Sequence, residues 1–439
     1  MITDSLASFI CNTHYENLPA DVVEKAKLCF MDFLGVSLGG SRTRSSQIIG
    51  NIVGSHGSST IIGGSKTSAL EASLVNGVSA HSLDLDDGHR QAQLHPGACV
   101  IPAALSLSES HEVSGKDLIE SMVVGYQIAV LMGIIANPNH RRRGFHSTGT
   151  CGTFGAAAAA SKVLKLDEES IVNCFGLAGT QAAGLLESDH AGTMGKHLHP
   201  GRAAQSGVLS ALIAQKGFTG AKSIIDGKEG FLRATSQIEL AKIAIAKEDL
   251  WKSYYILGVY FKKYPVCRHL HSSIDAAMSL MQKNNINPDN IVNVTVNTYK
   301  IAAEHDEYHP HSPEAVRQSL PVSLALAISK GLNQTLHINA EILNLASKVS
   351  MKCDPNLESL YPEQRPSQVI ITTREGSWEE TVHLPQGEPE KPFNWNDILT
   401  KFRLLNPEVD LKTLNIMKNI ESYEVTELIS IINRFVRKG

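Results

Sequence analysis

The sequence predicts a mainly α-helical fold in which a mixed α+β segment interrupts two helical regions. Helical periodicity without strand-like alternation extends from the N-terminus to about residue 255. Two-residue alternation first appears beyond Lys262, and a helical pattern returns between Asn394 and Val436. The 439 residues, of which 42% are hydrophobic and 19% charged, are enough for an ordered core and for about two to four folding units.

The first helical region contains several segments of small or apolar residues. Val22, Ala26 and Phe33 share one face of a predicted helix, with Gly35 beyond its end. A run of alanines predicts a helix from Gly152 to Leu164 in the middle of a bundle, because small side chains let helices approach closely. Two further helices are predicted at Asn173–Leu186 and Ala203–Gln215. No G-x-G-x-x-G motif follows a strand, so a nucleotide-binding Rossmann unit is not predicted.

The segment beyond Lys262 mixes helical and strand patterns. Ser272–Lys283 places its apolar residues on one helical face, whereas Val292–Asn297 alternates as a half-buried strand does. A helix is expected over Pro313–Lys330, and Pro321 should kink it or delay its start because proline lacks a backbone N–H group.

A β-hairpin is predicted near the end of the mixed segment. Its strands, Val369–Thr373 and Glu379–Leu384, flank the turn residues Arg374–Ser377. The following stretch, Pro385–Pro392, contains three prolines and is typical of a linker. The C-terminal helices are expected to begin directly after it.

Charge and hydropathy exclude two classes of partner. The net charge of −4 gives no electrostatic footprint for nucleic acid, so none is expected as a partner. The N-terminus lacks a basic segment followed by an apolar one, so no secretory signal is predicted. Met122–Ala136 is the most membrane-like stretch, but it is short and contains Gln127, which favours a buried core helix over a membrane span.

The cysteines point to a reducing compartment. There are seven of them, and none belongs to a C-x-x-C pair. Neither a disulfide framework nor a zinc ribbon or iron–sulfur cluster is therefore predicted. We expect reduced thiols and a cytoplasmic protein.

The first polar cluster extends from His81 to His95 and includes Asp84, Asp86 and Asp87. Carboxylates and imidazoles this close together, between apolar segments, cost solvation free energy unless they pair or do chemistry. Three interpretations stay open on the residues alone: a solvated acidic loop, a divalent-metal site and a metal-free acid–base site. The ligand types suit a metal, but the spacing is not a specific metal-binding pattern.

Two more clusters precede alanine-rich segments. His146 comes directly before the Ala-rich helix, where the helix dipole would lower the basicity of an imidazole. A lone histidine at such a position more often has a structural hydrogen-bonding role, and both interpretations stay open. Lys196 and Arg202 lie in a glycine-punctuated stretch that is predicted to be a loop. Such a loop can bring a cation and backbone N–H groups to a carboxylate or phosphate, but it is not a P-loop.

A fourth cluster, Lys262–Ser272, lies where the predicted fold type changes. Domain boundaries are common places for ligand clefts. Cys267 has cationic neighbours in this stretch, which allows either an activated thiolate or an inert buried thiol.

Together these segments resemble the 2-methylcitrate dehydratase family, also written MmgE/PrpD, which includes 2-methylcitrate dehydratases, cis-aconitate decarboxylases and iminodisuccinate epimerases. The resemblance covers nearly the whole chain. Its motifs, in order, are Asp32–Gly35, Asn76–Asp87, His95–Gly97, Gly144–His146, Gly192–Lys196 and Lys263–Pro265.

The resemblance implies a large all-helical domain with an inserted smaller α+β lid domain. The expected boundaries are 1–258 plus 392–439 for the helical domain and 259–391 for the lid. It further implies a homodimer that acts on a small di- or tricarboxylate without a metal or an organic cofactor.

Site residues follow from the same resemblance. It implies catalytic roles for Asp84, His95, His146 and Lys196. Substrate-binding residues are expected in the lid at Lys262, Cys267, Arg268 and His271. In the expected mechanism the histidines transfer protons on opposite faces of the substrate, Lys196 holds a substrate carboxylate, and Asp84 orients an imidazole.

The expected reaction is removal of a proton next to a carboxylate with loss of water, as in 2-methylcitrate dehydratases. Epimerisation of the iminodisuccinate type and decarboxylation of the cis-aconitate type are alternatives. Gly88, Cys267 and Val322 depart from family patterns, and the last two replace a histidine and a tyrosine of cis-aconitate decarboxylases, which favours dehydratase or epimerase chemistry. Two rivals from other classes are a metal-dependent hydrolase using Asp84, Asp86, His89 and His95 and a carboxylate-binding protein without activity.

Overall fold

The computed structural model describes residues 1–238, 250–332 and 336–436, and within them the chain is mainly α-helical, as predicted. The chain divides into two compact units. The first unit contains residues 1–186, 195–260 and 394–439, and the second contains 187–194 and 261–393. The second unit therefore includes the short segment Glu187–Met194, which the expected boundaries assign to the helical domain.

The first unit is almost entirely helical. Its α-helices are Ile2–Asn12, Ala20–Gly40, Arg44–Gly50, Ala69–His81, Gly97–Ser108, Gly115–Ala136, Asn139–Arg142, Ser147–Val163, Glu168–Gly179, Gly195–Gln215, Phe231–Ser236, Trp395–Leu405, Leu411–Ile416 and Val425–Val436. Its 3₁₀ helices are Tyr15–Asn17, Tyr255–Gly258 and Met417–Ser422, and its short strands are Ser59–Thr60, Lys66–Thr67, Gly88–His89 and Val259–Tyr260.

The Ala-rich helix Ser147–Val163 lies in the middle of this unit, as the alanine run predicts. It packs against Gly115–Ala136 and Gly195–Gln215. A Cβ atom added at Gly155 would lie only 2.5 Å from the Cβ atom of Ala129, so the glycine permits the close approach of the two helices. Its neighbour Gly115–Ala136 is the one helix of the described residues that is long and apolar enough to cross a membrane, but 89% of its most apolar window is buried inside the unit.

One helix is longer than predicted. The helix Ala20–Gly40 continues past Gly35, so that glycine does not lie beyond the helix end. A Cβ atom at Gly35 would lie 2.8 Å from Cδ2 of Phe402. The glycine therefore makes room for an aromatic ring from the C-terminal helix Trp395–Leu405 instead of marking the helix end.

The second unit contains a four-stranded sheet with strand order Val349–Cys353, Ile291–Thr298, Ser367–Thr373 and Ser377–Val382. The first pair is parallel and the other two pairs are antiparallel. Its α-helices are Glu187–His190, His271–Lys283, Lys300–Ala303, Pro313–Gln318, Leu320–Lys330, Ala340–Ala346 and Pro355–Glu358, and its 3₁₀ helices are Arg268–Leu270 and Pro288–Asn290.

The predicted strand and hairpin are present in this sheet. In the strand Ser367–Thr373 buried residues alternate with half-buried ones. The strand packs against the helix His271–Lys283. The helix expected over 313–330 is instead two helices that meet at Ser319, whose hydroxyl caps the second one. Pro321 occupies the first turn of that second helix, where its missing N–H group costs no hydrogen bond.

Candidate active site

The aspartates of the first polar cluster lie in a loop that begins where the helix Ala69–His81 ends. Asp84 has φ of +49°, a left-handed conformation that aspartate tolerates better than most residues. Its backbone N–H group donates to the carbonyl of His81 at 3.0 Å, which closes the turn. This turn sets the directions in which the side chains of Asp84, Asp86 and Asp87 point, and all three residues are buried.

Asp86 is the carboxylate that pairs with imidazoles. Its Oδ2 atom lies 2.8 Å from Nδ1 of His81 and 3.6 Å from Nδ1 of His95. Nδ1 of His95 also lies 2.6 Å from the carbonyl oxygen of Asp87. Because carbonyl and carboxylate oxygens accept hydrogen bonds, both imidazoles carry their proton on Nδ1 when neutral, which leaves the lone pair on Nε2.

His81 lies between two other imidazoles. Its ring centroid is 5.0 Å from that of His95 and 5.9 Å from that of His146. The residue is fully buried, and its Nε2 atom has no hydrogen-bond partner among the described residues. Since a buried polar atom without a partner is costly, this nitrogen is suited to accept a proton from a bound molecule.

His146 directly precedes the Ala-rich helix, as predicted, and extends the group of imidazoles to a fourth member. Its Nδ1 atom lies 2.8 Å from Nδ1 of His199, so one ring donates and the other accepts. The pKa of His146 is lowered well below its usual value, first by burial and then by the neighbouring His199, His81 and Lys196. Burial and these neighbouring groups therefore keep the imidazole neutral.

Lys196 brings the cation of the site. It lies at the start of the helix Gly195–Gln215, so the stretch predicted to be a loop is helical from Gly195 onward. The Nζ atom donates to Oδ2 of Asp84 at 3.3 Å, and both residues are buried. The structure thus pairs Asp84 with the lysine and Asp86 with an imidazole. Orientation of an imidazole by Asp84 stays a prediction.

Asp87 is held by the protein itself. The hydroxyl group of Tyr126 donates to its Oδ2 atom at 2.6 Å, and the N–H group of Gly97 donates to Oδ1 at 2.9 Å. Burial raises the pKa of Asp87 to about 7, against the opposing effect of the tyrosine hydrogen bond. These contacts tie the aspartate loop to the start of the helix Gly97–Ser108 and thereby fix His95 in place.

The same atoms bear on the metal interpretation. His81, Asp86 and His95 each offer one ligand atom, and these atoms lie within 4.8 Å of one another. This set differs from the four residues expected for a metal-dependent hydrolase, because it contains His81 in place of Asp84 and His89. In the structure these atoms form a hydrogen-bonded carboxylate–imidazole pair, which would have to open and lose a proton to bind a metal.

The sequence reasoning did not select two of the clustered histidines. His81 stands inside the motif Asn76–Asp87, and His199 lies between Lys196 and Arg202, but neither has a predicted function. The spacing of His199 was a signal that could have selected it. His199 lies three residues after Lys196 on a helix, so the two side chains are on the same helical face. His81 ends a helix, and its position between His95 and His146 depends on packing between distant segments.

In the second unit, Arg268 is bound by the protein itself. Its guanidinium group lies 2.9 Å from Oε1 of Glu388, and both side chains are almost completely buried. It also lies 3.1 Å from Nδ1 of His271, whose Nε2 atom faces the carbonyl oxygen of Val266 at 3.3 Å. This ion pair accounts for the charge of Arg268, so substrate binding by Arg268 and His271 stays a prediction without support from the geometry.

The two other residues predicted to bind substrate have different surroundings. Lys262 is fully buried in the second unit. Cys267 is half-buried, and its Sγ atom lies 3.7 Å from Nε2 of His305. The sequence reasoning did not single out His305.

Buried imidazoles, carboxylates and a lysine gathered in a mainly helical unit define an acid–base type of site. Two family models match the chain, the MmgE/PrpD N-terminal domain over residues 4–243 and the MmgE/PrpD C-terminal domain over residues 264–416. The first alone matches more than half of the 439 residues. The chain therefore belongs to the MmgE/PrpD family, which confirms the predicted resemblance.

Curated relatives match along almost the whole chain. A cis-aconitate decarboxylase of Aspergillus terreus is 25% identical, and the match covers 98% of this chain and 96% of the relative. The cis-aconitate decarboxylase of Homo sapiens is 28% identical, with 96% and 92% covered. That of Mus musculus is 26% identical, with 92% and 86% covered.

Proposed function

We propose that this protein is a lyase of the 2-methylcitrate dehydratase type that needs no cofactor. It acts on a small di- or tricarboxylate by removing a proton from the carbon next to a carboxylate and expelling water. The observation that carries this proposal is the group formed by the buried His81, His146 and Lys196 and the half-buried His95, with their partners Asp84 and Asp86. Family membership and the names of the relatives support the lyase class.

The tautomers give the histidines their proposed roles. His95 presents a lone pair on Nε2, because its Nδ1 proton is donated to a carbonyl oxygen. Burial, with smaller effects of His199, His81 and Lys196, lowers the pKa of His146, so at physiological pH its imidazole is in the neutral form that a base requires. We assign these two imidazoles to proton removal and to protonation of the departing hydroxyl group.

Lys196 is proposed to bind the carboxylate next to the reacting carbon. As the C–H bond breaks, its electron pair moves into the bond between the reacting carbon and the carboxylate carbon, and negative charge develops on the carboxylate oxygens. The nearby ammonium group of Lys196 stabilises this negative charge. The C–O bond then breaks, and the hydroxyl oxygen takes a proton from the second imidazole, which enters this step as imidazolium. An alkene, water and a neutral imidazole result. Asp84 holds the lysine in place in this scheme.

Decarboxylation is the second candidate, because the named relatives are cis-aconitate decarboxylases. In that reaction the carbon–carbon bond to a carboxylate breaks, carbon dioxide leaves, and an imidazole protonates the carbon. The same cluster can supply that proton. Against it stand Cys267 and Val322, which replace residue types expected in such decarboxylases.

One panel of substrates separates these reactions. Citrate, 2-methylcitrate, cis-aconitate and iminodisuccinate are incubated with the purified protein and followed by ¹H and ¹³C NMR. The proposal predicts an alkene tricarboxylate from a hydroxy acid. Loss of carbon dioxide from cis-aconitate would establish the decarboxylase instead, exchange at a stereocentre without elimination would establish the epimerase, and no turnover of any compound would favour the inactive binding protein.

A metal-dependent hydrolase is tested on the same preparation. His81, Asp86 and His95 are close enough to hold an ion, so a hydrolase would contain about one divalent metal per chain and lose activity with a chelator. We expect turnover of a carboxylic acid that survives dialysis against a chelator. Metal-dependent turnover that returns when the ion is added back would contradict the proposal.

We also propose that the protein is a homodimer and acts in the cytoplasm. Both proposals rest on the family resemblance and on the reduced state expected of the cysteines. Analytical ultracentrifugation at two protein concentrations tests the first, since a single species of about twice the 47.5 kDa chain mass is expected. Fractionation of the source cells tests the second.

A further inference from the structure

Cys267 and His305 form a pair in the second unit that the proposed reaction does not use. The Sγ atom of Cys267 lies 3.7 Å from Nε2 of His305. The other ring nitrogen, Nδ1, lies 2.8 Å from the carbonyl oxygen of Gln318. A nucleophilic side chain, a base within reach and a third group that orients the base are the arrangement that activates cysteine and serine nucleophiles.

The carbonyl of Gln318 fixes the direction of proton transfer. A carbonyl oxygen can only accept a hydrogen bond, so Nδ1 of His305 carries a proton and the lone pair of the neutral ring is on Nε2. That lone pair faces Sγ of Cys267. The thiol proton therefore has an acceptor at hydrogen-bond distance, and its transfer produces a thiolate beside an imidazolium.

The surroundings favour the charged pair. Burial, the largest influence, lowers the pKa of His305, yet the pKa is raised overall because of Cys267, with smaller contributions from Asp189 and the Gln318 carbonyl. The ring of His269 stacks on that of His305, with centroids 5.8 Å apart. Tyr299, another ionisable side chain here, shares a hydrogen bond with His269 at 2.6 Å and has a pKa raised by burial, so it stays neutral. Tyr361, Arg268 and Arg365 are further ionisable neighbours of Tyr299.

The position of Cys267 in the chain adds to this preference. Its N–H group donates to the carbonyl of Arg317 at 2.8 Å, which holds the segment in place. The helical segment formed by Arg268–Leu270 and His271–Lys283 begins at the next residue. A helix start carries partial positive charge, which stabilises a thiolate close to it.

The remaining cysteines differ in ways that serve as controls. Four are buried, and their pKa values are raised by burial, at Cys29, Cys99, Cys151 and Cys174. Cys11 is half-buried like Cys267, but burial and Glu168 raise its pKa. Cys353 is exposed and provides the reference for an ordinary accessible thiol.

We propose that Cys267 and His305 form a thiolate–imidazolium pair that makes Cys267 a modification site, oxidised by hydrogen peroxide at neutral pH. The thiolate sulfur attacks one peroxide oxygen, the O–O bond breaks, and the departing hydroxide takes the proton of the His305 imidazolium. The products are a cysteine sulfenic acid, water and a neutral imidazole. The sulfur loses two electrons and the peroxide gains them.

The test measures the pH dependence of thiol alkylation in the full chain. Iodoacetamide labelling is stopped at successive times, and each cysteine is followed by peptide mass spectrometry between about pH 5.5 and 9. Alkylation of a thiol with the usual pKa slows about tenfold for each pH unit below that pKa. Between pH 8 and 6 we expect the rate at Cys267 to fall much less than the rate at the exposed Cys353. A stabilised thiolate is a weaker nucleophile, which offsets part of the advantage of Cys267. The net expectation is that Cys267 is alkylated about tenfold faster than Cys353 at pH 6.

His305→Asn is the matched variant, because its amide group can still donate to the Gln318 carbonyl but offers no base to the thiol. Its alkylation profile at Cys267 should become parallel to that of Cys353, and sulfenic acid formation with dilute peroxide, detected with dimedone, should fall about tenfold. Parallel profiles for Cys267 and Cys353 in the unaltered protein would overturn the proposal. The comparison of Cys267 with Cys353 in the unaltered protein tests the proposal even if the variant does not fold. It is also independent of the reaction that the protein catalyses.

Discussion

Each compact unit contains a group of buried histidines, and the two groups use their ring nitrogens differently. In the first unit, His81 gives one nitrogen to Asp86 and has no hydrogen-bond partner for the other among the described residues. In the second unit, His271 lies between Arg268 and the carbonyl of Val266 and so uses both nitrogens. A ring with an available nitrogen can transfer a proton to a substrate, whereas a ring with both nitrogens bound serves the structure.

The cations of the two units differ in the same way. Arg268 forms its ion pair with Glu388 where both side chains are at most 3% exposed, so its charge is compensated inside the protein. Lys196 pairs with Asp84 at a longer distance of 3.3 Å, and it lowers the pKa of the neighbouring His146. Similar residue types therefore give a candidate acid–base site in one unit and a structural ion pair in the other.

The largest expected effect comes from the imidazoles of the first unit. His146→Ala and His95→Ala should each lower turnover of the accepted substrate by about 10²–10⁴-fold, because each removes a proton-transfer group. Steady-state kinetics measure the loss, and circular dichroism confirms that the variants fold. His14→Ala is the control, since His14 is exposed. Near-normal turnover in both variants would remove these histidines from the mechanism.

The second effect concerns the structural pair. Glu388→Gln removes the carboxylate that pairs with the buried Arg268 charge and should lower the free energy of unfolding by about 3–5 kcal/mol. Glu380→Gln removes a partly exposed partner of Lys283 and should cost no more than about 1 kcal/mol. Urea unfolding of both variants measures the difference. Equal costs would mean that the Arg268 ion pair does not stabilise the second unit.

The third effect separates the two aspartates. Asp86→Asn should lower kcat about 10–100-fold, because it disturbs the partner that orients His81 and His95. Asp84→Asn should act mainly on KM, since Asp84 holds the lysine proposed to bind the substrate carboxylate. Steady-state kinetics give kcat and KM separately for each variant, and the two pairs of values are compared. The reverse pattern, with kcat lost in Asp84→Asn alone, would restore the role that the sequence suggested for Asp84.

The smallest effect is the pH dependence of stability due to Asp87. Its pKa of about 7 in the folded protein lies above the usual value of 3.8, so the folded state binds the proton more tightly than the unfolded state. The resulting stabilisation is complete below about pH 4 and is lost as the pH rises through 7, at most about 4 kcal/mol.

Asp87→Asn tests this origin. The amide group can accept from Gly97 and donate to Tyr126, so the fold is retained while the titration is removed. Unfolding midpoints at pH 5 and 8 should therefore differ less in the variant than in the unaltered protein. Asp32 and Glu109, whose pKa values are also raised by burial, titrate in both proteins and cancel. An equal pH effect in both would show that Asp87 titrates normally.

The local structure was largely predictable from the sequence. Consecutive alanines predicted a helix at 152–164, and the helix Ser147–Val163 is present, because helix propensity and small side chains act locally. The strict alternation at 292–297 likewise predicted the strand Ile291–Thr298. The helix at 173–186 was displaced toward the C-terminus in the prediction, since the observed helix Glu168–Gly179 begins with Asp167 as its N-cap, a signal that the apolar pattern alone did not reveal.

The pairing inside the candidate site was not predictable. Asp84, Asp86 and Asp87 are chemically alike, and the left-handed turn at Asp84 decides which side chain reaches an imidazole and which reaches Lys196. The four imidazoles come from three distant stretches of chain, so the central position of His81 follows from helix packing and not from spacing. For the same reason His305, the partner of Cys267, carried no signal in the sequence.

The most direct test of the account measures hydrogen exchange at carbon. The four acids of the panel are incubated with the protein in deuterium oxide, and NMR follows deuterium entering the carbon next to a carboxylate. We predict exchange or elimination with at least one acid, slowed about 10²-fold or more in His146→Ala and His95→Ala. Exchange at equal rates in these variants, or no reaction of any acid with the unaltered protein, would contradict the central claim.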